Sequence, residues 1–141
     1  MTTKRKLAIV SCAAVQAWIL ASAQSRTTQD GVYTDAQARR GETIYVKTCE
    51  SCHAKDLGGA DQAPSLVGKD FNAEWNDMPL SDLFERIHAT MPGDAPGSLK
   101  PAEVADMIAF ILSKGGFPAG QTELPSDAAA LKQLQYAAPR R

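Results

Sequence analysis

The pentapeptide Cys49-Glu50-Ser51-Cys52-His53 constrains this chain more than any other stretch. Two thiols three positions apart, followed at once by an imidazole, form the attachment pattern for c-type haem. The spacing has a chemical reason. Each thiol can form a thioether to one haem vinyl group, and the histidine is then held beneath the iron as an axial ligand. A haem tied and ligated in this way can be buried in a small chain without being lost. Its chemistry is tuned by what the chain places around it. Cys-x-x-Cys alone has other uses, as a redox dithiol, half of a zinc site or a disulfide. A dithiol oxidoreductase needs alternating strands and helices, and no such pattern surrounds these cysteines. A closed zinc site needs four ligands, and the remaining candidates are Cys12 and His88.

Residues 1–23 read as a secretory signal peptide. Lys4, Arg5 and Lys6 form a basic n-region, 7–20 is a mostly apolar run broken by Ser11 and Gln16, and Ala21-Ser22-Ala23 is an A-x-A cleavage site. The run is short for a transmembrane helix, which wants about 20 apolar residues. An uncleaved anchor is the alternative, and no stable membrane insertion is expected after cleavage. Cys12 lies in mid-run and would leave with the signal. Export fits the motif, because bacterial haem attachment takes place outside the cytoplasmic membrane. The expected location is periplasmic or otherwise exported. Losing the three basic residues takes the formal net charge from −1 to −4. No basic stretch suited to nucleic acid is present.

Residues 24–33 are polar, lack an apolar period and read as a flexible leader. Thr34 is a candidate N-cap with Asp35 in the first turn, opening a helix that runs to the first motif cysteine. The stretch 54–69 is rich in Gly, Asp and Pro and reads as loop. A short helix is expected within 71–77. Ser81 is the expected cap of another helix, whose Leu83, Phe84 and Ile87 fall on one face. Pro92, Gly93, Pro96 and Gly97 exclude regular structure from the next loop. Pro101 suits a first helical turn, Val104, Met107, Ile108, Ile111 and Leu112 supply an apolar face, and Gly115-Gly116 ends that helix. Residues 117–141 form a tail, packed on the domain or extending from it, in which Ser126 is a candidate cap for a short helix. No useful run alternates like a strand. The expected architecture is all-α, with short helices around a covalently attached haem that supplies apolar surface a small chain lacks.

The iron needs a sixth ligand or an open position. Met91, in Thr90-Met91-Pro92-Gly93, is the leading candidate, because Pro92 restricts its backbone in an irregular loop. A thioether opposite histidine raises the potential. Met78, which also precedes a proline, and His88 are rivals. Met107 sits on an apolar helical face and reads as core.

These features in order resemble the class I monohaem c-type cytochromes. The resemblance spans 34–113 and rests on Gly41 and Tyr45 ahead of the motif, on Cys49, Cys52 and His53, on Pro64 in Ala63-Pro64-Ser65-Leu66, on Met91, and on the helix from Pro101. It implies a cytochrome c domain over 34–116. It implies that Gly41 and Tyr45 let the first helix cross the last closely. It implies that the Pro64 carbonyl accepts the second N–H of His53, which fixes ring orientation. It also implies that Met91 is the distal ligand and that Trp75 lies near a haem propionate, although an aromatic core role is an equal reading of Trp75. The loops around 91–99 and 116–120 are similar to those of small cytochromes that accompany quinoprotein dehydrogenases.

The expected function is an exported electron carrier with one covalent haem c, His53/Met91 ligation and no catalytic residue. Its partners are a redox protein donor and acceptor, with a quinoprotein dehydrogenase as one candidate. Two alternatives stay open: an electron-transfer subunit of a dehydrogenase or oxidase complex, and a ligand sensor or peroxidase-like protein with an open sixth position.

Overall fold

The computed structural model describes residues 26–61 and 63–139. The expected signal peptide and Cys12 lie outside the described residues.

The all-α expectation holds. Six helices dominate: α1 (Asp35–Thr48), α2 (Glu50–His53), α3 (Gly68–Trp75), α4 (Leu80–Thr90), α5 (Pro101–Lys114) and α6 (Ala128–Leu131). Thr34 caps α1 as expected, its hydroxyl accepting from the Gln37 N–H. Pro101 occupies the first turn of α5, and Gly115 follows its last residue. Two caps differ from expectation. Pro79 precedes α4, and Ser81 lies inside the first turn, its hydroxyl bonded to Asp82. The helix starts early because Leu80 buries its side chain completely at that first position. Asp127, not Ser126, caps α6 by accepting from Ala130 N. A carboxylate is the stronger acceptor.

The main helix pair is α1 against α5. Gly41 makes the crossing possible, since a Cβ there would run into the Asp106 carbonyl and the Phe110 side chain. One turn on, the Tyr45 ring packs on Phe110 at 5.2 Å between centroids. Every residue of α5 from Val104 to Leu112 is buried, Asp106 included. Arg40 on α1 meets that carboxylate with two nitrogens, each at 2.9 Å.

The flexible-leader reading fails for residues 26–33. Arg26–Thr27 (β1) pairs in parallel with Leu134–Gln135 (β2), a 3-10 turn covers Thr28–Asp30, and Val32 and Tyr33 join the core. The pairing partner is the tail, so no local pattern announces it. The described part of the tail is anchored to the domain at intervals. Phe117, Leu124, Leu131, Leu134 and Tyr136 are buried. Tyr33 donates to the Phe117 carbonyl at 2.7 Å, and the Gln37 amide both donates to and accepts from the Leu124 backbone. Gly31 and Gly120 approach so closely that a Cβ on Gly120 would strike the Gly31 carbonyl. The result is a helical core against which residues 26–33 and the described part of the tail pack, paired to each other through β1 and β2.

Candidate functional site

The Cys-x-x-Cys-His segment is positioned by the end of α1. The chain breaks helical geometry at Cys49 and re-enters it as the short α2, where His53 N donates to the Cys49 carbonyl at 2.9 Å. Ala54 then adopts φ +64° and turns the chain away, held by the Tyr45 hydroxyl, which donates to the Ala54 carbonyl. Tyr45 therefore has two jobs, packing the α1–α5 crossing and fixing the exit from the motif. Only the first was legible in the sequence.

The loop after the motif folds back onto it. Gly59 donates to the His53 carbonyl at 3.0 Å, and Leu66 donates to Leu57 at 2.8 Å. Gly59, at φ +78°, lies against Pro64, and a Cβ there would come within 2.5 Å of the Ala63 carbonyl. Glycine is required by both conformation and space. Its role in seating Pro64 was hidden in a stretch that reads only as loop. The outcome is a 2.9 Å hydrogen bond between His53 Nδ1 and the Pro64 carbonyl. A carbonyl can only accept, so Nδ1 carries a proton, and Nε2 is the nitrogen left for another partner. His53 is 7% exposed, and Nε2 has no partner among the described residues.

Cys49 and Cys52 are free thiols, the first half-buried and the second exposed. Burial pushes the Cys49 thiol up, partly offset by the neighbouring Thr48 hydroxyl at 3.2 Å. Met91 follows α4 directly, in extended conformation, its N–H still bonded to the Ile87 carbonyl at 2.9 Å. Its side chain is half-buried against the core, as is that of Met78. Met107 is enclosed within α5, as expected of core. His88 stacks on Phe84 at 5.8 Å in the last turn of α4. Trp75 ends α3, buried beside Phe71, and its indole N–H has no partner among the described residues.

The motif thiols, His53 and Pro64 are thus brought together by one turn and one loop. Trp75 and Met91 arrive from α3 and α4, with no hydrogen bond to the motif among the described residues. The donor set fits a haem. It offers two free thiols in Cys-x-x-Cys-His spacing, an imidazole with one nitrogen engaged and the other available, and thioethers at the core margin.

Residues 36–111 match the family described as Cytochrome C oxidase, cbb3-type, subunit III. The chain belongs to the cytochrome c family. The cofactor of this cytochrome is covalent haem c, and the family role is electron transfer. The cytochrome is similar to "Cytochrome c" of Gossypium barbadense, 29% identical over 52% of this chain and 86% of the relative. It is 28% identical to "Cytochrome c-551" of Bacillus subtilis (strain 168), over 63% of this chain and 81% of that one. A solved structure, the sulfane dehydrogenase SoxCD from Paracoccus pantotrophus, aligns with TM-score 0.49 and 22% identity, over 66% of this chain and 52% of the solved one. No helix among the described residues is long and apolar enough to cross a membrane.

Proposed function

We propose that this cytochrome is an exported, single-haem electron carrier. Cys49 and Cys52 would hold the haem as thioethers, and His53, through Nε2, and Met91 would be the two ligands of its iron. The observation that carries the reading is the His53–Pro64 bond of 2.9 Å beside two free thiols. That bond fixes the tautomer and ring plane that an axial ligand needs.

Bound haem supplies a one-electron iron couple. The chain's residues do the rest. Pro64 holds the imidazole in one orientation and raises its basicity. Met91 supplies a soft neutral ligand that favours ferrous iron, and it closes the position a substrate would need. Trp75 offers an indole N–H to a propionate. With His53 and Met91 as ligands in both oxidation states, little rearrangement of the chain would accompany each transfer. No residue is assigned a catalytic role. The signal at residues 1–23 supports export to the periplasm. Its partners are then redox proteins, and a quinoprotein dehydrogenase fits as donor by the loop resemblance.

A second reading is favoured by the family description itself: the same domain serving as an electron-transfer subunit of an oxidase or dehydrogenase complex. Co-purification separates the two. The carrier reading predicts a protein released alone, with its N-terminus at Gln24 and the mass of one haem added. Haem fully extracted by acidified organic solvent would reject covalent attachment at Cys49 and Cys52.

A further inference from the structure

The C-terminal tail reaches back to the segment that carries Trp75, proposed above to face a haem propionate, and Met78, half-buried at the core margin. Tyr136 N–H donates to the Met78 carbonyl at 2.8 Å, and Asp77 N–H donates to the Tyr136 carbonyl at 2.9 Å. Gln135 bridges Pro79 in antiparallel fashion. Asp77 itself stands at φ +65°, a left-handed turn conformation that Asp tolerates better than most non-glycine residues. The Tyr136 side chain anchors this ladder. It is 2% exposed, its ring edge meets Phe71 at 6.0 Å, and its hydroxyl donates to Asn72 Oδ1 at 2.5 Å. Asn72 and Phe71 lie on α3, less than a turn and about one turn before Trp75. One tail residue thus grips both sides of the 72–79 segment: α3 by its side chain and the turn by its backbone.

We propose that Tyr136 is a positioning residue for electron transfer, fixing Trp75 and Met78 at the margin of the haem site from the tail. The proposal rests on the reading that haem lies between His53 and Met91. Released from Tyr136, the 76–79 turn has lost the ladder that holds it, and water gains access to that wall. Water stabilises the extra charge of the ferric state, so the potential falls.

The test uses full-length haem-loaded protein and compares Tyr136→Ala with Leu124→Ala. Leu124 is another buried tail residue, but its backbone is held by the Gln37 amide on α1 and makes no bond to the 72–79 segment among the described residues. Both variants should melt earlier than wild type. Only Tyr136→Ala should lower the midpoint potential in a redox titration, beyond the scatter of repeat titrations. A wild-type potential in Tyr136→Ala, or an equal fall in both variants, would overturn the proposal. If Tyr136→Ala accumulates no haem protein, Tyr136→Phe decides. It lacks only the phenol–Asn72 bond and should titrate below wild type, and an unchanged potential would sink the proposal. The ferric sulfur–iron absorption band separates this from the ligand reading. It should persist in every variant, and its absence from wild type would reject Met91 ligation and leave the tail comparison standing.

Discussion

At the scale of single residues, the site depends on what glycine and proline allow. Gly41 leaves no room for a methyl group against the α5 backbone. Gly41→Ala must push two helices apart or distort one, and overpacking of this kind costs about 3 kcal/mol. We expect a melting temperature well below wild type, read by circular dichroism on haem-loaded protein. Pro64 is a different case. Its carbonyl would survive in Pro64→Ala, but the stiff backbone presenting it to His53 would not. The expected outcome is a modest loss of stability and a weaker methionine ligation, seen as a ferric sulfur–iron band that fades at a lower temperature. A band as heat-resistant as wild type would mean that the loop, with Gly59, holds the carbonyl without proline.

At the scale of elements, the helices were legible and the wrap was not. Thr34 caps α1, and the apolar face of α5 is buried, because capping and periodicity are local signals carried by neighbours in sequence. The same holds for the haem motif. The tail obeys no such rule. Gln37 recognises the Leu124 backbone 87 positions away, through two hydrogen bonds that no sequence pattern encodes. Residues 26–33 were polar and aperiodic for the same reason: Thr28 is fully buried because its hydroxyl is satisfied by the Ala137 backbone. At Thr28 polarity marks pairing and not solvent. Gln37→Ala tests the point. It strands a buried donor and acceptor of the Leu124 peptide, at about 1–3 kcal/mol. We expect lower stability to denaturant and faster proteolysis within 118–130, with the haem spectrum unchanged.

At the scale of the whole molecule, the fold places its polar groups so that the core depends on neutral tyrosines. Burial pushes Tyr45 up to about 12 from an ordinary 10.0, and it pushes Tyr136 up as well. A raised folded-state value means that the unfolded chain releases these protons first. The stability they contribute is complete below pH 10 and is lost as the pH rises towards 12. Alkaline titration of the melting temperature should show that decline, and Tyr45→Phe should flatten part of it.

The central claim is that His53 and Met91 together hold the iron, which makes this cytochrome a carrier with no open position. The weak ferric absorption band at the red edge of the visible tests it most directly, because it reports a sulfur–iron bond. It should be present in wild type and in Met78→Ala. In Met91→Ala it should be absent, with carbon monoxide binding the ferrous form readily and a lower potential. Survival of the band in Met91→Ala with its loss in Met78→Ala would contradict the assignment. A wild type that lacks the band and binds carbon monoxide at once would replace the carrier with an open-site sensor or peroxidase.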